Sequence, residues 1–270
     1  MKPANKTLRF KSFDEFVETA KRVPPSANDE RGSRAVRAVE KDVFYGDSFD
    51  GAITLASKGW KEGAERALAL RASIDGTIRD VVCARQAGYG WEVSGDFVDV
   101  GKFLVGEPEC FVTTVADGEC ATGRVVRLVA NVAASAAVTQ ESLFCRGAVV
   151  VAAIDILESL GHRVELTVAR GTTTKGKTLE LFVPVKSASQ PLDIDRLAFC
   201  LCHPAFLRRL TWSVSEAHGF IPHETKPAPV ETDDAEILTI SEARRGTDFT
   251  QEQLLDEVKT LCERCGVSIG

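Results

Sequence analysis

The chain has 270 residues, of which 44% are apolar and 27% charged, and its formal net charge is −6. This composition is typical of a globular protein, and no run of about 18 apolar residues is present to form a membrane span. The N-terminus lacks the apolar stretch of a signal peptide, so we expect a cytoplasmic protein. The charge is uneven, because residues 221–270 hold 5 basic and 11 acidic residues, whereas the first 220 residues are neutral overall.

The first third of the chain predicts helices followed by strands. Ser12 and Glu15 form a capping box for a helix over 12–23, and Ser48 is the expected N-cap of a helix that resumes after Gly59 and Trp60. Residues 26–41 are polar and arginine-rich, which indicates a loop or arm. From 81 to 115, frequent glycines between apolar residues predict strands and turns.

The centre of the chain predicts a sheet. Residues 124–133 form a β-branched apolar run, Thr139 caps a long apolar helix that ends near Gly161, and residues 163–169 alternate as a strand. A strand at 178–186 follows a polar turn. The order strand, helix, strand predicts a βαβ crossover followed by a hairpin. We therefore expect an α/β protein, with α+β as the alternative, built on a central mixed sheet covered by helices.

The last part of the chain predicts two more helices, over 192–201 and 204–217, then a proline-containing linker and a final amphipathic helix closed by Gly266. Three regions follow from this pattern. We expect an N-terminal helix and basic arm over 1–40, an α/β core over 41–221, and a linker with an acidic, helix-bearing tail over 222–270.

Cysteine and motif patterns argue against catalysis and metal binding. The chain has eight cysteines, but only Cys262 and Cys265 form a CxxC pair, and a structural zinc site usually draws on a second pair. Packing on a helix is the favoured explanation of that pair, with metal or redox chemistry as the alternative. No phosphate-binding glycine loop and no GxSxG motif occurs. We expect no cofactor, no metal and no enzymatic activity.

The stretch from Asn131 to Ser135, with Thr139 beyond it, ends a strand where open α/β sheets bind ligands. Over residues 124–169 the chain resembles von Willebrand factor A domains, whose motif is Asp-x-Ser-x-Ser with a later Thr. Here Asn131 replaces the Asp, Ala133 replaces the first Ser, and only Ser135 matches. Losing the carboxylate removes the charge that attracts Mg²⁺. The resemblance implies a protein-interaction adaptor without a metal site, and a plain strand–helix turn is the simpler interpretation.

Aromatic residues interleaved with basic ones are typical of surfaces that bind single-stranded nucleic acid, where cations follow the phosphates and rings stack on bases. The candidate nucleic-acid-binding residues are Lys58, Trp60, Lys61, Arg79, Arg85, Tyr89, Trp91, Lys175 and Lys177. The alternative is that the rings belong to the core and the cations to a solvated surface. An acidic tail behind a neutral core favours the first interpretation, because such a tail lowers non-specific binding and recruits partners.

Four stretches resemble a family of phage-encoded proteins: residues 49–63 with Gly59-Trp60-x-x-Gly63, residues 98–109, residues 127–165, and residues 191–199 with His203-Pro204. Within that family the chain resembles the single-stranded DNA-binding RNA polymerase cofactors of N4-like phages. The resemblance implies a non-enzymatic, self-associating protein that binds single-stranded DNA during phage transcription or replication. The expected partners are single-stranded DNA and the phage RNA polymerase.

Overall fold

The computed structural model describes residues 5–23, 44–72, 88–95, 97–115, 124–221, 224–232, 237–240 and 251–265. Most of the predicted basic arm and of the acidic stretch before the last helix lies outside the described residues. In chain order the elements are β1 (Lys6–Arg9), α1 (Phe13–Arg22), α2 (Phe49–Lys58), α3 (Lys61–Ala72), β2 (Gly88–Glu92), β3 (Phe97–Val98), α4 (Val100–Leu104), β4 (Phe111–Val115), β5 (Val125–Asn131), α5 (Gln140–Ser159), β6 (Arg163–Thr174), β7 (Lys177–Lys186), α6 (Ile194–Cys202), a π-helical segment (Phe206–Thr211), α7 (Trp212–Ala217), β8 (Lys226–Pro227), β9 (Ile237–Ile240) and α8 (Gln251–Arg264).

The main sheet has the order β1-β7-β6-β5-β9. Strands β5 and β6 are parallel and joined by α5, while β6 and β7 form an antiparallel hairpin. Its turn places Lys175 at φ 46° and Gly176 at φ 75°, the left-handed conformation that a tight hairpin needs. Outer strands β1 and β9 run parallel to β7 and β5. The predicted α/β fold, with its crossover and hairpin, is confirmed.

Local signals explain why the crossover helix forms where it does. Thr139 accepts a hydrogen bond from the Ser142 amide at 3.1 Å, so its side chain satisfies one of the free amides of the first turn. Most side chains of helix α5 between Leu143 and Leu157 are buried. A helix that is apolar all round must be covered on every side. It accordingly packs between the sheet and helices α3, α6 and α8.

One large core lies on the helical face of the sheet. Alternate residues of β5, such as Val126 and Leu128, pack there with Phe16 of α1 and with Val258 and Cys262 of α8. Helix α1 from the first region of the predicted three-region division and helix α8 from the last region therefore both contribute buried side chains to the same core. Burial raises the pKa of the Cys262 thiol to about 12, which keeps it protonated at neutral pH.

The opposite face of the sheet carries a smaller apolar cluster of Val129, Ala169, Phe182 and Val230. Val230 belongs to residues 224–232, which run across this face after β8 pairs with the end of β6. We call residues 224–232 the crossing segment. A side chain at Gly171 would come within 2.2 Å of the Ala228 carbonyl oxygen, so only glycine permits this close approach.

A second sheet of order β2-β4-β3 lies between α3 and β5 in the chain. Asp99 caps the short helix α4 by accepting the Lys102 amide at 3.2 Å, and it also accepts the Trp91 indole N–H at 3.2 Å. The strands predicted within 81–115 are seen as β2, β3 and β4, but residues 100–104 form helix α4, which the glycine pattern did not predict because its start depends on the Asp99 cap. Among all the helices within the described ranges, none is both long and apolar enough to cross a membrane.

Candidate functional site

A cavity of about 310 Å³ opens at the carboxyl ends of β5 and β6. This edge of an α/β sheet is where such folds usually bind ligands, because neighbouring loops converge there. The lining includes three aromatic rings and five polar side chains: Phe44, Tyr45, Trp212, Ser135, Arg170, Thr172, Thr225 and Lys226. We call this the carboxyl-edge cavity. Its volume lies at the lower end of the range of small-ligand sites, roughly 300–1,000 Å³.

Asn131 is fully buried and bonds to two residues that line the cavity, Ala133 and Gly171. Its Nδ2 donates to the Ala228 carbonyl at 2.9 Å, and its Oδ1 accepts the amides of Ala133 and Gly171 at 3.1 and 3.3 Å. The side chain thus ties the end of β5 to β6 and to the crossing segment. Both ends of the amide are engaged by backbone groups, so Asn131 holds the loops in place and offers no oxygen to a cation.

The described residues contain no cluster of three or more His, Cys, Asp or Glu side chains that could hold a metal ion. At the position where the von Willebrand A motif would place metal-binding oxygens, Ser135 instead accepts the Ala137 amide at 3.3 Å in a local turn. This geometry is that of a strand–helix connection stabilised by its own side chains.

Arg170 brings a buried positive charge to the cavity wall. It is 4% exposed and donates to the Ser215 hydroxyl of α7. Burial lowers the pKa of the Arg170 guanidinium to about 9, while the nearby Glu216 carboxylate acts in the opposite direction. A guanidinium so strongly desolvated gains much from an additional anion, because charge interactions are strong where water is excluded.

Two further buried arginines fix the aromatic wall. Arg208 donates to the carbonyls of Phe44 and Val138 at 2.7 and 2.9 Å, and Arg209 donates to the Asp47 carbonyl at 2.8 Å. The same guanidinium groups lie 4.0 Å from the Phe44 ring centroid and 4.3 Å from that of Tyr45. These contacts hold the two rings against Trp212 before any ligand arrives.

Two of the predicted DNA-binding residues lie near this cavity. Lys175 and Lys177 flank the β6–β7 turn, close in sequence to the lining residue Thr172, and both are exposed. Lys175 Nζ is 3.1 Å from Glu224 Oε2, next to the lining residue Thr225. Lys226 adds another exposed cation at the rim. The structure therefore brings three lysines to the same edge as the aromatic wall.

The group around Trp60 is arranged differently. Lys58 and Lys61 are exposed, but the indole packs edge-on against His203 and Phe144, with centroids 4.6 and 6.1 Å away. A side chain at Gly63 would lie 2.0 Å from the indole, so the Gly-Trp-x-x-Gly pattern is a packing motif. Trp60 is half-buried and packs against the main core.

The remaining predicted residues are scattered. Arg79 and Arg85 lie outside the described residues, and of Tyr89 only its strand pairing with Thr114 is described. Trp91 is 45% exposed, and its ring lies 4.7 Å from the Lys102 ammonium nitrogen. Within the described residues, no hydrogen bond or ion pair links the Trp60, Trp91 and Lys175 groups to one another.

Sequence reasoning missed most of the cavity. Tyr45, Arg170 and Trp212 come from three segments far apart in the chain, so no local pattern joins them. The sequence does contain one signal, the pair Arg208-Arg209 close to Trp212, which reads as helix packing. In the π-helical segment these arginines are fully buried, and such segments are frequent at functional sites.

Comparison with known proteins places the chain in a family without an assigned role. Residues 3–267 match the model of DUF7192, a domain of unknown function, and the chain therefore belongs to that family. No curated protein matches the chain. No solved structure matches it either.

Proposed function

We propose that this DUF7192 protein is a non-enzymatic single-stranded DNA-binding protein, and that the carboxyl-edge cavity is where it holds the DNA. The observation that carries the proposal is one cavity lined by a prearranged aromatic wall, the buried guanidinium of Arg170 and the exposed Lys226, with Lys175 and Lys177 exposed on the β6–β7 turn at the same edge of the sheet. Single-stranded nucleic acid needs this combination, because rings stack on unpaired bases while cations follow the phosphates.

The cavity suits a base rather than a duplex. Its rings lie in a recess beside the buried Arg170, which an unpaired base can enter and a stacked base pair cannot. Because Arg208 and Arg209 already fix Phe44 and Tyr45, little side-chain entropy is lost on binding.

The rim supplies the backbone contacts. The Lys175–Glu224 pair is largely exposed, with 80% and 41% of the two side chains accessible, so it contributes little and can be exchanged for a phosphate. Lys177 and Lys226 are exposed beside it. Binding should therefore fall steeply with salt, since each phosphate contact releases counterions.

The biological setting rests on the resemblance to phage proteins alone. We propose a role in phage transcription or replication within the bacterial cytoplasm, with the phage RNA polymerase as partner. The alternative, a protein-interaction adaptor without a metal site, is compatible with the bonds that Asn131 makes. The crossing segment and the cavity favour ligand binding at this edge.

The test is fluorescence anisotropy of a labelled oligo(dT) titrated with the full chain at several salt concentrations. Replacing Lys175 and Lys226 with Gln should weaken binding and reduce the salt slope by about 1.4, or roughly 0.7 per lost contact. Tyr45→Ala should weaken binding by about 1–3 kcal/mol, the usual value of one base stacked on a ring.

The matched control changes Lys58 and Lys61 to Gln. This pair removes the same charge from the group around Trp60, and it should leave affinity nearly unchanged. Equal losses of oligo(dT) affinity in the two double variants would show that only overall charge matters. Absence of oligo(dT) binding at low salt would overturn the proposal, as would equal binding of duplex DNA.

A further inference from the structure

We propose that residues 88–95 and 97–115, which we call the small-sheet unit, are a docking surface for a basic amphipathic segment of a partner protein. This inference rests on observations separate from the carboxyl-edge cavity. Eight of the ten exposed large apolar side chains of the described residues lie in this unit. The most exposed are Leu104 at 76%, Val105 at 74% and Phe97 at 72%. Such a concentration of exposed apolar groups marks an interaction site.

The strand register gathers several of these groups on one face. Trp91 of β2 and Phe97 of β3 are both paired with Val112 of β4. Directly paired residues project to the same face of a sheet, so the three form a continuous apolar row. Helix α4 lies close to this row, because Lys102 reaches over the Trp91 ring. Phe103 and Leu104 extend the exposed apolar surface along α4.

The charge of the unit decides which partner fits. Residues 88–115 contain five acidic residues and one basic residue, Lys102. Lys102 is already 3.0 Å from Glu107, and Glu107 and Glu109, which follow α4 in the chain, are exposed and form an acidic rim. Glu92, which follows Trp91 in β2, is exposed on the opposite face of the small sheet. A nucleic acid would be repelled by this rim. A partner that places lysine or arginine opposite the rim and apolar side chains over the row would be complementary in both respects.

The indole is held in position for such contacts. Trp91 donates to Asp99 at 3.2 Å, and the same carboxylate accepts the Lys102 amide. The amide of Lys102, the indole N–H and the positive charge of Lys102 together lower the pKa of Asp99. The carboxylate that holds the indole therefore stays ionised at neutral pH. Rigid aromatic side chains with a fixed polar end are common anchors of protein interfaces.

The test uses two labelled synthetic helices of about 18 residues with leucine on one face and either lysine or glutamate on the other. The full chain should bind the lysine peptide, more weakly as salt is added, and should not bind the glutamate peptide. The double variant Phe97→Ser with Phe103→Ser should bind the lysine peptide at least about tenfold more weakly. Both residues are exposed, so the thermal unfolding midpoint should not change.

The matched control is the double variant Leu68→Ser with Val125→Ser, which removes the two exposed large apolar residues that the described part of the chain has outside the unit. This variant should bind the lysine peptide like the parent chain. Equal binding of both peptides, or binding of neither, would overturn the proposal. So would concentration-dependent self-association, seen by sedimentation and abolished by the Phe97 and Phe103 changes, because the face would then belong to a second copy. Oligo(dT) binding should be unaffected by these variants, so the two proposals fail independently.

Discussion

Replacing Asn131 with aspartate tests how the end of β5 is built. The change restores the carboxylate of the von Willebrand A motif while keeping the side-chain size nearly constant. In this structure the donor Nδ2 becomes an oxygen facing the Ala228 carbonyl, at the position of a 2.9 Å hydrogen bond. We therefore expect Asn131→Asp to destabilise the fold and to create no Mg²⁺ site.

The magnitude follows from the bonds that change. The lost donor bond is worth about 1 kcal/mol, and an extra charge in a fully buried position costs about 2 kcal/mol more, even though the Ala133 and Gly171 amides still face the other oxygen. The sum, about 3 kcal/mol, is a large part of the 5–15 kcal/mol that stabilises a typical domain.

Urea unfolding at pH 7 and pH 4.5, with and without Mg²⁺, measures this effect. Burial raises the pKa of the new carboxylate above its unfolded value, so the penalty is full above the folded pKa and fades as the pH falls toward the unfolded pKa. Asn131→Ala is the comparison, since it removes all three bonds without adding a charge, and its penalty should not depend on pH in this way.

Two results would refute the reasoning. A stability equal to that of the parent chain at pH 7 would mean that the Ala228 bond does not hold the crossing segment. A gain of stability on adding Mg²⁺ to Asn131→Asp, absent in Asn131→Ala, would mean that the position is a latent cation site.

Further predictions concern the buried ion pair, the crossing segment and the thiols. Lys186 lies 2.6 Å from Glu158, and both side chains are under a tenth exposed, so Lys186→Met should lower the free energy of unfolding in urea by about 3–5 kcal/mol. Adding Glu158→Gln should recover part of this loss, because no unpaired buried charge then remains. A Lys186→Met variant as stable as the parent chain would contradict this prediction. Gly171→Ala should cost about 1–3 kcal/mol and weaken oligo(dT) binding, because the crossing segment must shift; unchanged values would speak against that contact. Burial raises the pKa of the Cys265 thiol to about 11 and also raises that of Cys262. Alkylation of the folded chain, mapped by mass spectrometry, should therefore leave both thiols unmodified. Rapid alkylation of either thiol in the folded chain would refute their position in the core.

Local signals were sufficient to predict the elements of the central fold. Ser12, Ser48 and Thr139 each accept an amide hydrogen bond at the helix starts that the sequence indicates. These signals work because capping and periodicity depend only on nearby residues. Strand β9 was not predicted, because it is short and is defined by its pairing with β5 across a long stretch of sequence.

The role of an aromatic or basic residue depends on whether its side chain is buried, and the sequence alone does not reveal this. Trp60 and Trp91 each follow a glycine in the chain, yet one packs on Phe144 and the other is 45% exposed. The cavity was missed for a related reason. Arg170 bonds to Ser215 of α7 from the part of β6 that continues beyond the end of β5. The threonines of that part, residues 172–174, favour both a strand and a polar turn, so the sequence did not show how far β6 extends.

The most direct test of the central claim is ultraviolet cross-linking of oligo(dT) to the full chain, followed by peptide mapping. If single-stranded DNA binds in the carboxyl-edge cavity, we expect adducts on peptides that contain Tyr45 or Trp212, two of the rings that line it. Adducts confined to peptides containing Trp60 or Trp91, or none above the level seen with duplex DNA, would contradict it.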